Sequence, residues 1–144
     1  ITSLALQAEE MEEINLRLQG RYQEIMKNEV RYEEVMCEDA EYLIVGFGIS
    51  ARIGQKAAEM AREEGLKVGL LRPITLFPFP TNEIKRLAEK VKGVLTVELS
   101  AGQMVDDVRL AVNGKVPVEF FGKMGGIVPS PDEVLHALKE KVIK

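Results

Sequence analysis

Four short apolar runs, each followed by a stretch with helical spacing, constrain the fold of this chain more than any other feature. Each run is bounded by glycine, proline or charged residues, as is usual for strands that are buried on both faces. The runs are Tyr42 to Phe47, Val68 to Leu71, Val94 to Val97 and Val118 to Phe121. Strand and helix therefore alternate four times, which predicts an α/β domain with parallel strands between two helical layers.

Several helix starts are also marked in the sequence. Ser130 is followed by a proline and then by Glu133, a combination that predicts an N-cap serine with a capping box. Ser100 and Gln103 have the same spacing, and Thr81 is predicted to cap the helix that follows a proline-rich loop.

The N-terminal part differs from this regular pattern. Apolar residues from Gln7 to Asn28 fall on one face of a predicted amphipathic helix. Gly20 weakens that helix by up to about 1 kcal/mol, so the helix is expected to dock, either on its own domain or on a partner. Alternating residues from Val30 to Met36 predict a half-exposed edge strand. We therefore assign residues 1–29 to a linker and helix, and residues 30–144 to the α/β domain.

Charge and cysteine content exclude several classes of protein. Residues 1–40 carry 10 acidic and 4 basic residues, whereas residues 41–144 carry 13 acidic and 15 basic residues, with no basic stripe that would indicate nucleic acid binding. The single cysteine, Cys37, excludes a disulfide framework and an iron–sulfur cluster ligated by this chain, so a cytoplasmic location is expected. No apolar run approaches the roughly 18 residues that a membrane span needs. Because the chain opens at Ile1 without a methionine, we expect it to be a piece of a longer polypeptide.

One glycine motif has two interpretations. Residues 46–51 match the GxGxxA pattern between a strand and a helix, where glycines let a backbone approach a pyrophosphate. The acidic residue expected at the end of the next strand is missing, because that strand ends at Arg72 and Pro73. The motif therefore indicates either a nucleotide site or a tight strand-to-helix turn.

A proline-rich loop runs from Arg72 to Pro80 and contains Phe77 and Phe79. Three prolines restrict the loop, so two aromatic side chains can be displayed at little entropic cost. The rings are expected either to form an interface anchor or to fold back over the sheet.

Polar residues gather where the predicted strands end, which is the usual functional edge of an open α/β sheet. They are Ser50, Arg52, Arg72, Glu98, Gln103 and Lys123, and the segment that Lys123 begins brings Gly125 and Gly126 to the same edge. No nucleophile lies near a base among them, and His136 is predicted to be a solvated surface residue. We therefore predict no catalytic residue and no metal site within this chain.

These segments together resemble the C-terminal part of the α subunit of 2-oxoacid:ferredoxin oxidoreductases, the pyruvate:ferredoxin oxidoreductase domain II family. The matching stretches are residues 42–52, 67–80, 97–109 and 122–126. The resemblance covers nearly the whole chain and, through Asn15, Leu18, Arg21 and Tyr22, leans toward the 2-oxoisovalerate branch. It implies a transketolase C-terminal-like domain, a mostly parallel five-stranded sheet with one antiparallel edge strand.

The resemblance also implies a reaction. The family decarboxylates 2-oxoacids oxidatively with thiamine diphosphate and Mg, passes electrons through iron–sulfur clusters to ferredoxin, and transfers the acyl group to coenzyme A. The family's GDG motif and its cluster cysteines are absent here. The chain is thus expected to be a non-catalytic domain that contributes subunit assembly and part of the active-site cleft in an oligomer. Arg109 joins the residues named above as a candidate for cleft or interface contacts.

Two other functions remain open from the sequence. The chain is alternatively a stand-alone α/β module that binds a nucleotide or coenzyme A through residues 46–51. It is also open whether the helix from Gln7 to Asn28 serves as an oligomerisation element.

Overall fold

The computed structural model describes residues 4–143 and places the four predicted apolar runs side by side in one sheet. Residues 1–3 of the predicted linker and Lys144 lie outside the described part. The strands are β1 (Tyr32–Val35), β2 (Tyr42–Gly46), β3 (Val68–Pro73), β4 (Val94–Glu98) and β5 (Val118–Gly122), in the spatial order β1-β3-β2-β4-β5. The helices are α1 (Ala8–Asn28), α2 (Gly48–Glu63), α3 (Thr81–Leu87), α4 (Met104–Val112) and α5 (Pro131–Leu138), and a π-helical turn, Lys139–Ile143, continues α5.

The predicted edge strand is confirmed as β1, which runs antiparallel to β3 while all the other pairs are parallel. Glu33 lies opposite Arg72 in this register, and the two side chains form an ion pair at 3.1 Å. A short strand bearing charged side chains is a common way of preventing further strands from adding to a sheet edge. The fold class predicted from the sequence is therefore observed, including the antiparallel strand.

Alternating side chains along the strands build one core on each face of the sheet. Leu95 and Val97 of β4 pack on one face among residues from α2 and α5, whereas Val94 packs on the other face among residues from α3 and α4. Helices thus cover both faces, which makes the three-layer arrangement that the alternation of strand and helix predicts.

The prediction that all four apolar runs are fully buried is wrong for β5. Its residues are half-buried throughout, whereas all of β4 is buried. The reason is its position, because β5 is the last strand of the sheet and pairs only with β4.

Two predicted helix starts can be checked directly. The capping box at Ser130 is confirmed, since its Oγ accepts a hydrogen bond from Glu133 N at 3.2 Å and Glu133 Oε2 accepts one from Ser130 N at 2.9 Å. The predicted cap at Thr81 is wrong, because Thr81 is already the first helical residue of α3 and Pro80 occupies the N-cap position. The restricted backbone of the proline sets the start of the helix there.

Helix α1 contributes no buried residue to the domain. Its closest ring contact is with the proline-rich loop, where Tyr22 meets Phe77 edge-on with ring centroids 6.0 Å apart. The apolar face therefore remains largely exposed along the helix, with Met26 48% accessible. Although α1 is the longest described helix, neither it nor any other described helix has the apolar length needed to cross a membrane.

Replacing Gly69 with alanine tests the packing of β3 against the segment that follows β1. A Cβ at this position would lie 2.9 Å from the Met36 carbonyl oxygen and 3.1 Å from Cys37 Cα, both of which are backbone atoms that cannot rotate away. We expect Gly69→Ala to lower the free energy of unfolding by about 1–3 kcal/mol, measured by urea denaturation. Gly20→Ala is the control, because a Cβ there meets nothing within 4 Å. Equal effects of the two substitutions would contradict the packing.

Candidate functional site at the carboxyl edge of the sheet

The strand order places a crevice at one edge of the sheet. From β2 the chain passes through α2 to β3 on one side, whereas from β4 it passes through α4 to β5 on the other side. The loops that follow these two neighbouring strands therefore diverge, and ligands of open α/β sheets usually bind at such a switch point. We call the edge where β2, β3, β4 and β5 end the carboxyl edge, and the opening between β2 and β4 the switch-point crevice.

Carbon atoms form most of the wall of the switch-point crevice, which encloses about 330 Å³. Phe47 comes from the loop after β2, and Leu76 comes from the proline-rich loop after β3. Leu99 follows β4, and Met104 begins α4. Three loops and one helix thus supply an apolar lining that none of them forms alone.

A buried carboxylate forms one polar wall of the crevice. Glu98, the last residue of β4, is 2% exposed. Its Oε1 accepts a hydrogen bond from Val105 N at 2.9 Å, and its Oε2 accepts bonds from Met104 N at 3.1 Å and Gln103 N at 3.2 Å. Ser100 Oγ donates a further bond to Oε2 at 3.0 Å. The negative charge of Glu98 is thus balanced by the unpaired N–H groups and the dipole of the α4 N-terminus.

The predicted cap of α4 by Ser100 is therefore wrong. Gln103 is the N-cap residue and makes no side-chain cap bond, because Glu98 reaches the same amides from the neighbouring strand. Ser100 Oγ instead accepts a bond from Gly102 N at 3.2 Å, within its own loop. The capping-box spacing in the sequence cannot reveal a competing carboxylate that arrives from a strand.

Two exposed polar side chains complete the crevice. Gln103 and Asp107 lie one turn apart at the start of α4, and both line the opening. Neither side chain has a hydrogen-bond or ion-pair partner within residues 4–143. By contrast Asp106, on the same turn of helix, pairs with Arg109 at 3.2 Å.

The glycine motif is explained by packing at the start of α2. A Cβ on Gly46 would lie 3.2 Å from the backbone of both Ser50 and Ala51, so the helix can approach the strand this closely only when glycine stands there. Of the polar residues predicted at the carboxyl edge, Ser50 is buried, with 2% of its surface exposed, whereas Arg52 is exposed. These contacts favour the tight-turn interpretation of the motif.

The two phenylalanines of the proline-rich loop have different environments. Phe77 is 63% exposed and faces α1, whereas Phe79 is half-buried against the core beneath α3 and α4. Thr75 fixes the loop, since its Oγ1 accepts a bond from Arg31 N at 3.0 Å and donates one to the Pro78 carbonyl at 2.8 Å. Phe79 therefore folds back over the core, whereas Phe77 is displayed beside α1, and its role as an interface anchor stays a prediction.

The remaining predicted residues are divided between two places. Lys123 lies at the carboxyl edge and pairs with Glu133 at 2.8 Å, and Gly125 and Gly126, both with positive φ, form the exposed loop beside it. Arg109 belongs to the last turn of α4, and its guanidinium reaches back to the first turn of that helix, where it pairs with Asp106 at 3.2 Å.

Within the described residues no pair of groups is arranged for acid–base or nucleophilic chemistry. The His136 side chain is 79% exposed, as predicted, and lies 3.8 Å from Glu140 on the surface of α5 and its π-helical turn. The Cys37 thiol is buried and donates to the Leu70 carbonyl at 3.2 Å. Burial, reinforced by the nearby Glu34 carboxylate, raises the pKa of Cys37 from 9.0 to about 11.

Sequence reasoning missed most of the crevice lining. Phe47 and Leu76 belong to the glycine motif and the proline-rich loop, but neither side chain is itself predicted as a site residue, and the same holds for Leu99 and Asp107. Phe47, Leu76 and Leu99 each lie shortly after a strand end, which is the available signal. This signal is not sufficient, because the crevice depends on the spatial order of the strands, and the spacing of apolar runs along the chain does not predict that order.

The capping contact can be tested by Glu98→Gln. The amide lacks the negative charge and turns an NH₂ donor toward backbone N–H groups, so we expect the free energy of unfolding to fall by about 2–3 kcal/mol. Glu119→Gln on β5 is the control, since this carboxylate has no side-chain partner in the described part of the chain; it should change stability by less than about 0.5 kcal/mol. Chemical denaturation measures both, and a Glu98→Gln variant as stable as the control would contradict the contact.

The raised pKa of Cys37 predicts slow alkylation. At pH 8 the buried thiol is neutral in the folded chain, and the neutral thiol is a poor nucleophile. We expect iodoacetamide to modify Cys37 only at the rate at which the chain opens, and to modify it rapidly in denaturing urea. Mass spectrometry of timed samples measures this, and fast labelling of the folded chain would contradict the predicted state of the thiol.

The sequence of the chain matches a known family and several curated proteins. Residues 40–134 match the model of the pyruvate:ferredoxin oxidoreductase core domain II. Ketoisovalerate oxidoreductase subunit VorB of Methanothermobacter marburgensis is 46% identical over 140 residues, which is 97% of this chain and 40% of that subunit. 2-Oxoglutarate synthase subunit KorA of the same organism is 36% identical over 101 residues, or 70% of this chain and 27% of that subunit. The chain thus spans well under half the length of these relatives.

Two solved structures share the fold. The 2-oxoglutarate:ferredoxin oxidoreductase from Magnetococcus marinus, solved with 2-oxoglutarate, coenzyme A and succinyl-CoA bound, matches 94% of this chain and 24% of its own with a TM-score of 0.76 and 17% identity. A split-gene transketolase, an inactive β4 tetramer, matches 76% of this chain and 40% of its own with a TM-score of 0.65 and 20% identity. The fold is therefore transketolase C-terminal-like, and the chain belongs to the core domain II family of 2-oxoacid:ferredoxin oxidoreductases.

Proposed function

We propose that the chain acts as a non-catalytic domain of a thiamine-diphosphate-dependent 2-oxoacid:ferredoxin oxidoreductase. In this role it supports subunit assembly and contributes part of the active-site cleft for coenzyme A-dependent oxidative decarboxylation. The proposed substrate is a branched-chain 2-oxoacid, 2-oxoisovalerate. The support for that choice is that the match to the ketoisovalerate subunit covers 97% of the chain, whereas the match to the 2-oxoglutarate subunit covers 70%.

The side chains of this domain do not fit the cofactors of such an enzyme. No group of three or more histidine, cysteine, aspartate or glutamate side chains in the described residues is arranged to hold a metal ion. The thiol of Cys37 is buried and bonded to a carbonyl, which makes it a poor cluster ligand. At the switch-point crevice the α4 amides are already bonded to Glu98, and the unpaired charge belongs to Asp107, so a diphosphate would meet no cationic partner. We therefore assign thiamine diphosphate, Mg and the iron–sulfur clusters to the rest of the complex.

The observation that carries the assembly role is the uneven distribution of exposed apolar side chains. Within residues 4–143, every exposed large apolar side chain except Leu110 lies either on the N-terminal segment with α1 or at the carboxyl-edge side of the sheet. Those at the carboxyl edge include Phe47, Ile49, Leu99, Met124, Ile127 and Val128. Exposed apolar side chains concentrated on one side of a domain are typical of a protein interface, so we infer that other domains or subunits cover this side.

Helix α1 extends the same surface. A single helix with no buried residue is marginally stable in water. Two of its exposed apolar side chains, Tyr22 and Met26, lie beside Phe77 of the proline-rich loop. Met26, Phe77, Phe79 and Thr81 also line a groove of about 570 Å³ between α1 and α3. We propose that α1 and this groove are part of the assembly surface, with residues 1–29 forming the connecting segment and residues 30–144 the domain.

The candidate site residues divide by accessibility. Arg52, Gln103, Lys123 and the two glycines at 125 and 126 are at least partly exposed at the carboxyl edge and are proposed as cleft or interface contacts. Arg72 is half-buried and held by Glu33, which leaves its other face for a partner. Ferredoxin, coenzyme A and the 2-oxoacid are proposed as partners of the whole complex, and the cytoplasmic location stays a prediction from the sequence.

A domain exchange tests this function. The matching 140-residue segment of the Methanothermobacter marburgensis ketoisovalerate subunit would be replaced by this chain, and the chimera co-expressed with the other subunits of that enzyme. Because the two segments are 46% identical, we expect the chimera to co-purify with those subunits and to reduce ferredoxin with 2-oxoisovalerate and coenzyme A. Failure of the chimera to assemble, or absence of turnover with branched 2-oxoacids, would contradict the proposal.

Matched variants of the chimera test the assembly surface. Phe77→Glu and Leu99→Glu place a carboxylate in the proposed contact area, where burial of an unpaired charge is costly, and are expected to weaken association at least about tenfold. Leu110→Glu is the control, since Leu110 is equally apolar and 76% exposed but lies in the last turn of α4, distant from the carboxyl edge. Analytical ultracentrifugation measures association, and equal effects of all three substitutions would contradict the assigned surface.

A further inference from the structure

The switch-point crevice combines an apolar wall with one unpaired charge. Phe47, Leu76, Leu99 and Met104 present carbon atoms, and Gln103 and Asp107 present a carboxamide and a carboxylate at the opening. A cavity of about 330 Å³ is large enough for one extended side chain or a small ligand but not for a dinucleotide. The crevice therefore favours a small ligand with an apolar part that contacts the wall and a polar end that reaches the opening.

The electrostatics of the crevice favour a cation. Glu98 accepts three backbone N–H groups and the Ser100 hydroxyl, so the attraction that a helix N-terminus has for anions is already used within the domain. Asp107 has no ion-pair partner among residues 4–143, whereas the adjacent Asp106 is paired with Arg109. An anionic ligand would therefore meet repulsion from Asp107, and the backbone N–H groups of residues 103–105 that would otherwise attract it are already bonded to Glu98.

We propose that the switch-point crevice receives an arginine side chain from the protein that covers the carboxyl edge. This inference rests on the proposed function, because it assumes that such a protein is present. The guanidinium would pair with Asp107, donate to the Gln103 carboxamide oxygen and lie against the Phe47 ring, while its aliphatic stem contacts Leu99 and Met104. A planar cation with several donors suits this mixture better than an ammonium, because it both stacks on rings and forms paired hydrogen bonds.

Arginine is also the charged residue most enriched at the energetically important centres of interfaces. The crevice lies between Phe47 and Leu99, both of which belong to the exposed apolar surface of the carboxyl edge. An arginine inserted here would be surrounded by apolar contacts that exclude water. The crevice would then fix the register of the partner while the surrounding apolar side chains supply most of the buried area.

The test uses the 144-residue chain and a small arginine probe, N-acetyl-arginine amide, followed by ¹H–¹⁵N correlation spectra. At millimolar probe we expect saturable shifts confined to residues that line the crevice, namely Phe47, Leu76, Leu99, Gln103, Met104 and Asp107. N-acetyl-norleucine amide, which has a similar stem without the cation, is expected to cause much smaller shifts. Equal shifts with the two probes, or shifts spread over the surface, would overturn the proposal, as would coenzyme A binding in the crevice more tightly than the arginine probe.

Two isosteric variants separate the charge from the fold. Asp107→Asn is expected to weaken probe binding about threefold or more, in keeping with a partly exposed ion pair. Asp106→Asn is the matched control, because it removes the same charge from the same helical turn outside the crevice, and it should leave binding unchanged. Equal weakening of probe binding by both substitutions would show that the probe responds to the overall negative charge of this helical turn, and would overturn the assignment of Asp107.

The outcome is distinguishable from that of the domain exchange. If the chimera assembles but the arginine probe causes no saturable shifts at the crevice, the proposed function stands and the arginine assignment fails. If the probe binds with the expected dependence on Asp107 while the chimera does not assemble, the crevice is a cation site and the proposed function fails.

Discussion

The contact between Glu98 and the start of α4 organises the functional edge of this domain. It joins the end of a central strand to the first turn of the next helix. The Glu98 carboxylate also neutralises the positive end of the helix dipole, because it accepts hydrogen bonds from the N-terminal N–H groups of α4. A carboxylate that is 2% exposed is tolerated only because several donors surround it. Because the contact sets where α4 begins, it also sets where Gln103, Met104 and Asp107 face the crevice.

This arrangement explains why the domain keeps the shape of a ligand-binding α/β fold while offering no phosphate site at α4. In many open sheets a helix N-terminus at the switch point binds an anion. Here an internal carboxylate holds that position, and the crevice beside it carries an unpaired acid and an apolar wall. An apolar wall with an unpaired acid is suited to protein contact, which is what the proposed role in assembly requires.

The distribution of exposed apolar side chains also favours protein contact at the carboxyl edge. Helix α1 enters β1 at the carboxyl edge, and the proline-rich loop after β3 places Phe77 against it. The apolar side chains of α1, of that loop and of the loops after β2, β4 and β5 are thus gathered on one side, which leaves the opposite edge polar apart from Leu110 within the described residues. The proposed assembly, in which other domains or subunits cover this side, would account both for this distribution of exposed apolar side chains and for a helix that has no buried residue of its own.

The helices and strands could be predicted from local patterns, because apolar spacing and turn chemistry do not depend on distant parts of the chain. The apolar runs, the amphipathic helix, the capping box at Ser130 and the family resemblance all followed from neighbouring residues, and the comparisons agree with the family. Tertiary structure alone decided which residues meet at the carboxyl edge. Glu98 rather than Ser100 caps α4, and Phe77 and Phe79 face different ways. The physical reason is that these outcomes depend on strand order and on the direction in which each helix returns along the sheet, which bring together residues that are far apart in the chain.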